Sequence, residues 1–300
     1  MGRALMLTGT GGGASIPGLH PAGWLRVLAA VAIFAPASRS AIAEGAHPQP
    51  PVPPHQTLTI DSKVLEETRR IHVYLPPGYD RTPRLRYPVL YMPDGGLEED
   101  FPHVARDVDT AIRAGEMRPM IVVGIENTER RRDMTGPTEV ESDRKIAPRV
   151  GGSARFRGFI RDELRPVVVE RFRGNGETAI VGESLAGLFV LETFLEQPAL
   201  FDTYIALSPS LWWNAGALVR GAAERLKARP RPAVTVYLAT AGDDGLEASA
   251  RDLTAALEAA PKKGLTWYFE AWPDEKHSTI YSAVSPAVFR KLFPPAHRRS

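Results

Sequence analysis

The sequence contains no cysteine among its 300 residues. That excludes disulfides, thiolate-bound zinc and a cysteine nucleophile together. It also has little net charge: 37 Lys and Arg stand against 35 Asp and Glu, a formal +2. So even a balance does not describe a nucleic-acid partner. Long hydrophobic runs are missing too. The apolar run Val27–Phe34 (VLAAVAIF) falls far short of the ~20 residues that span a bilayer, so no stable membrane anchor is expected. None of the seven histidines has a metal-ligand spacing such as H-E-x-x-H, and no metal is expected. The glycine-rich stretch Gly9–Gly13 follows no strand, which removes the dinucleotide-loop reading and leaves no cofactor implied.

Acids are absent from residues 1–43, where Arg3, Arg26 and Arg39 are the only charges. A positive flank, the short apolar run and Ala41-Ile-Ala43 read as a cleavable secretory signal with cleavage after Ala43, giving a periplasmic or secreted protein. The alternative is an apolar N-terminal helix of the domain. Loss of those three arginines from 37 basic residues leaves 34 against 35 acids, so the mature chain is formally −1. Residues 44–55 include His-Pro-Gln-Pro-Pro-Val-Pro-Pro and read as a stiff linker. Residues 56–300 then form one domain, long enough for a sizeable core.

Within that domain, short β-type runs alternate with helical ones. Thr68–Leu75, Pro88–Met92, Met120–Ile125, Thr178–Val181, Tyr204–Leu207, Val234–Ala239 and Leu265–Ala271 read as strands. Phe101–Glu116, Gly151–Glu170, Leu185–Glu196, Ala215–Ala228 and Leu246–Ala260 read as helices. This alternation predicts an α/β fold with a mostly parallel sheet covered on both faces. Ligands of such sheets bind beyond the carboxyl ends of the strands, so chemistry is sought in the loops there.

The loop after Thr178–Val181 reads Gly182-Glu183-Ser184-Leu185-Ala186. Strand, G-x-S-x-small, then helix is the nucleophile elbow of α/β-hydrolases. Small residues at 182 and 186 let the strand and helix approach closely. Ser184 is then displayed at a helix N-terminus, where the Leu185 N–H faces a developing oxyanion. The plainer reading is an N-capping serine. A serine hydroxyl needs a base. Only His277 and His297 follow Ser184, and His277 lies just beyond the last strand whereas His297 lies in the terminal tail. The acid is sought after Val234–Ala239, in Gly242-Asp243-Asp244-Gly245: Asp244 first, Asp243 next, Glu247 third. Each of these is equally readable as a cap of the following helix. The second oxyanion donor is assigned to Gly96 in Asp94-Gly95-Gly96, against the alternative of a plain turn.

These features accompany longer matching stretches: Val73–Tyr79, Tyr87–Gly95, Val122–Thr128 with Arg130–Thr135, Phe159–Pro166, the elbow, and Ala206–Asn214. On them the chain resembles the esterase D-like branch of the α/β-hydrolases, and within it the periplasmic siderophore esterases that open enterobactin-type trilactones. The resemblance implies Ser184 as nucleophile, His277 as base, and Arg130 and Arg132 near the pocket of a small-molecule ester substrate. Relatives often carry G-x-x-E or G-x-x-D where this chain has Gly242-Asp-Asp-Gly245, and some work with a Ser–His dyad. An anionic aromatic substrate would suit Arg130 together with Trp212 and Trp213. The bland alternatives are a solvated charge run for the arginines and core packing for the tryptophans. Esterases of feruloyl, acetyl or short-chain esters share the branch, and a non-catalytic binder on the same fold is the rival of a different class.

Overall fold

A computed structural model describes residues 51–295 except 228–232 and 262. The expected signal segment, most of the linker and His297 lie outside the described residues. Eight strands form one sheet: β1 (His55–Ser62), β2 (Glu67–Tyr74), β3 (Tyr87–Met92), β4 (Ile121–Ile125), β5 (Gly174–Glu183), β6 (Thr203–Leu207), β7 (Val234–Ala241) and β8 (Leu265–Trp272). Their order is β1-β2-β4-β3-β5-β6-β7-β8. The first two pairings, β1 with β2 and β2 with β4, are antiparallel, and every later pairing is parallel. The α/β-hydrolase expectation therefore holds, with an edge where β2 alone runs against the other strands and β1 pairs outside it.

The helices are α1 (Phe101–Arg113), α2 (Arg130–Asp133), α3 (Glu141–Arg144), α4 (Ser153–Phe159), α5 (Arg165–Phe172), α6 (Leu185–Glu196), α7 (Trp213–Arg220), α8 (Ala222–Lys227), α9 (Glu247–Ala259) and α10 (Ile280–Leu292). A π-helical turn, Ile160–Leu164, joins α4 to α5, so the single helix expected over 151–170 is one interrupted rod. Side chains alternate across each strand. In β3, Tyr87, Val89 and Tyr91 enter the core layer shared with α4, α5, α6 and α9, while Leu90 and Met92 enter the layer shared with α1 and α10. The central strands are buried on both faces, which is why they read as unbroken apolar runs. Because β3 to β8 run parallel, the segments following Met92, Ile125, Glu183, Leu207, Ala241 and Trp272 share one rim.

Four elements, β1, α2, α3 and α10, have no counterpart among the expected strands and helices. β1 is an edge strand with most positions at least partly exposed, so its hydrophobic alternation is faint. The helix α10 carries Pro286 inside it, a residue that argues against a helix.

Candidate active site

Strand β5 is central in the sheet, and the chain reverses sharply where it ends. Ser184 takes φ 59° and ψ −119°, backbone that an L residue adopts only under constraint. A Cβ on Gly182 would sit 2.6 Å from the carbonyl carbon of Ala186, so no larger residue fits where strand and helix cross. The turn is pinned from β6. The Ser184 N–H donates to the Leu207 carbonyl at 3.0 Å, and the Ser210 N–H donates to the Ser184 carbonyl at 2.9 Å. Leu185 opens α6, where the first N–H groups have no partner within the helix and are free to meet an anion.

His277 stands in the turn between β8 and α10, 93 residues after the serine. Its backbone N–H donates to Asp243 Oδ1 at 2.7 Å, and the Gly242 N–H donates to the Glu275 carbonyl at 3.0 Å. The two loops are thus laced together, and the imidazole Nε2 comes to 3.1 Å from Ser184 Oγ. Asp244 is buried behind the ring. Its Oδ1 accepts the Leu246 N–H at 2.9 Å and its Oδ2 accepts the Ala241 N–H at 3.2 Å. The same Oδ2 lies 3.8 Å from His277 Nδ1, at ion-pair rather than hydrogen-bond range. Asp243 and Asp244 therefore divide the work: one fixes the histidine backbone, and the other faces its ring while also holding its own loop. Glu247 is exposed and pairs with Arg251 at 2.5 Å on α9.

A cavity of about 490 Å³ opens over this pair. Ser184, Leu185, Asp243, Asp244 and His277 line it together with Arg130, Arg131, Ser210 and Trp212. A hydroxyl at hydrogen-bond distance from an imidazole, at a helix N-terminus and open to a cavity, can be deprotonated as it attacks an electrophile.

Three expectations need correction. Gly96 does not line this cavity: its N–H donates to the Glu99 carboxylate at 2.7 Å and is spent. The preceding Gly95 N–H donates to the Ile125 carbonyl at 3.0 Å, which draws this loop toward β4. Arg132 is also elsewhere. Its guanidinium reaches Glu67 at 2.8 Å and Asp133 at 2.6 Å, alongside a pair between the fully buried Arg69 and Asp133. Trp213 is core: it is 4% exposed and donates its indole N–H to the Gly136 carbonyl at 2.9 Å. Trp212, at 47% exposed, is the tryptophan of the cavity. Arg130 does line the cavity, but its Nε and Nη2 both donate to the Asp94 carboxylate, at 2.7 and 2.8 Å.

Arg131 was expected only as part of the basic run Arg130–Arg132, and neither Ser210 nor Glu183 was expected at the site. Arg131 is exposed at the cavity and meets no acid among the described residues. Ser210 Oγ lies 3.4 Å from Ser184 Oγ. Glu183 occupies the variable position of the elbow, yet its side chain is largely turned in and its Oε1, an inaccessible atom, lies 3.1 Å from His277 Nε2. Burial is the main cause that pushes its carboxyl up to about 8, with Asp100, Asp94 and Asp244 adding to it and Arg130 opposing. Neighbouring Asp100 is raised to about 7 for the same leading reason. The signal for Glu183 was its place, an ionisable side chain directly beside the nucleophile at the end of a central strand.

Fold and site together define an α/β-hydrolase of the esterase class. More particularly, the chain belongs to the family described as "Putative esterase", whose model matches residues 62–300. It is 26% identical over 257 residues to the ferri-bacillibactin esterase BesA of Bacillus subtilis, covering 76% of this chain and 86% of that one. It is 25% identical over 243 residues to the apo-salmochelin esterase of Escherichia coli, covering 73% of each. Among solved structures, an IroE-like serine hydrolase from Shewanella oneidensis matches with a TM-score of 0.71 at 30% identity, over 80% of each chain.

Proposed function

We propose that this esterase is an exported serine hydrolase whose substrates are siderophore-type esters. The observation that carries the mechanism is the 3.1 Å approach of His277 Nε2 to Ser184 Oγ on a strained elbow. Ser184 Oγ attacks the ester carbonyl carbon as its proton passes to His277 Nε2, and the oxyanion that forms faces the Leu185 N–H. Collapse breaks the bond to the alkoxy oxygen, which leaves with the proton from His277. Water then repeats the sequence: His277 takes its proton, the hydroxyl attacks the acyl-enzyme, and Ser184 is regenerated as the acid departs. Asp244, facing Nδ1, favours the charged ring while it exists.

The substrate class rests on two supports. The relatives named above are esterases of ferri-bacillibactin and apo-salmochelin. The cavity of this chain sets Arg131 and the exposed Trp212 beside the serine, a wall suited to an anionic, aromatic ester. Export rests on the Arg-flanked apolar run and Ala41-Ile-Ala43. No helix among the described residues is long and apolar enough to cross a membrane.

The test compares hydrolysis of enterobactin, a feruloyl ester and p-nitrophenyl acetate by the chain lacking residues 1–43, with Ser184→Ala as control. Preference for enterobactin in kcat/KM, and a loss of at least ~10³-fold in the variant on all three, are expected. Equal or better turnover of the feruloyl ester would move the substrate assignment, and retained activity in the variant would remove the serine mechanism.

A further inference from the structure

His277 has an unusual set of neighbours. The acid on its Nδ1 side, Asp244, stands off at 3.8 Å, and Nδ1 itself is buried without a hydrogen bond. On the Nε2 side, by contrast, two oxygens lie at 3.1 Å: Ser184 Oγ and Glu183 Oε1. The Ser184 contact has hydrogen-bond geometry. The Glu183 oxygen is buried and makes no hydrogen bond, although it sits against a ring nitrogen. A buried carboxyl oxygen left without a donor is costly, and an ionisable group in such a place is more often retained for function than for stability.

We propose that Glu183 is a positioning residue for the general base, holding the His277 imidazolium from its Nε2 side and so doing part of the work usually left to the acid at Nδ1. This rests on the Ser184–His277 hydrolase reading. In the resting site the Nε2 lone pair accepts from Ser184. Once the ring takes the serine proton, Nε2 bears an N–H and a positive charge, and Glu183 Oε1 is already within ion-pair distance of it. A small turn of the ring lets that N–H serve Glu183 and the departing alkoxy oxygen in sequence, with no group moving across the site. No bond other than those of the ester reaction forms or breaks.

The groups facing Glu183 set when it can act. Asp94 after β3, Asp100 before α1 and Asp244 after β7 oppose its ionisation, and Arg130 of α2 favours it. Tyr281 of α10, itself raised chiefly by burial, feels the same acids. His277 stands in front. With burial added, Glu183 ionises only near about 8. Below that it is neutral and helps the imidazolium little; above it, its negative charge stabilises the imidazolium directly. The rate of the chemical step therefore rises a second time as Glu183 loses its proton.

The test is the pH profile of kcat on p-nitrophenyl acetate for the wild type and for Glu183→Gln, which keeps the shape but cannot ionise. The wild type should climb in two steps, the upper one in the alkaline range. The variant should climb once, and its ratio of kcat at about pH 9 to that at about pH 7 should fall roughly fivefold. Profiles that superimpose after scaling overturn the proposal. If Glu183→Gln does not fold, judged by circular dichroism, Glu183→Asp carries the test. A folded Glu183→Asp should keep two steps with the upper one displaced, and a single step there overturns the proposal. Labelling of wild-type Ser184 by a fluorophosphonate, run in parallel, separates the two levels. No label sinks the hydrolase reading, whereas a label with unchanged profiles sinks the role of Glu183 alone.

Discussion

Arg130, Arg131 and Arg132 are consecutive, and one helical turn sends them in three directions, because successive side chains are about 100° apart. Arg130 is folded back on Asp94, Arg131 stays at the cavity without an acid partner among the described residues, and Arg132 is tied to Glu67 and Asp133. Burial raises the cost of a charged Glu67, yet the Arg132 and Thr128 hydrogen bonds and the Arg69 charge pull its carboxyl down to about 2. These three positions therefore answer different assays. For Arg131→Ala, KM for an anionic catecholate ester should rise about tenfold relative to KM for p-nitrophenyl acetate. For Arg132→Ala, urea unfolding should show a loss of about 2 kcal/mol, because Asp133 and Glu67 lose a partner in a largely buried network. A substrate-specific KM effect in Arg132→Ala with unchanged stability would reverse this division. The sequence showed a basic run at the rim but not which arginine was free. That depends on acids at positions 67, 94 and 133, brought together only by folding.

At the scale of elements, the elbow was legible because each of its constraints is local. A strand run, a glycine two residues before the serine and an apolar helix after it suffice, and the structure adds the close approach of residue 182 to Ala186. A larger residue there must push strand and helix apart. Gly182→Val should destabilise the fold by at least about 3 kcal/mol and abolish esterase activity together, as read by thermal melting and p-nitrophenyl acetate turnover. A folded, active Gly182→Val would contradict this account of the elbow. The turn after β3 was less legible. Two glycines there suggested backbone free to meet an oxyanion, but the carboxylate of Glu99, three residues on, takes the Gly96 N–H first. A side chain competing for a backbone donor leaves no mark in a glycine count. Trp213 was ambiguous for a related reason. Neighbouring tryptophans point different ways, and the deciding partner, the Gly136 carbonyl, is 77 residues away in sequence.

In the molecule as a whole, the parallel run of the sheet gathers residues from 94 to 277 at one rim. The search for an acid and then a histidine after the serine followed the chain order of α/β-hydrolases, and the parallel sheet brings those segments to the same rim. What remained out of reach was the state of the acids. Asp94 and Asp100 come from the β3–α1 loop, Glu183 from the end of β5 and Asp244 from the segment after β7, three separate segments. Their mutual repulsion and burial, which keep Glu183 neutral until about 8, exist only in the assembled fold. The cost of burying them close together is met by the rest of the sheet, as is usual for a reactive site. All of these parts converge on one claim, that Ser184 is a nucleophile activated by His277. The most direct measurement is intact-protein mass spectrometry after treatment with diisopropyl fluorophosphate, followed by peptide mapping, on the wild type and on His277→Ala. The account predicts a single adduct per wild-type chain, on Ser184, formed at least ~10³-fold more slowly in His277→Ala. An unlabelled wild-type chain, an adduct on another residue, or equal labelling rates with and without His277 would contradict it.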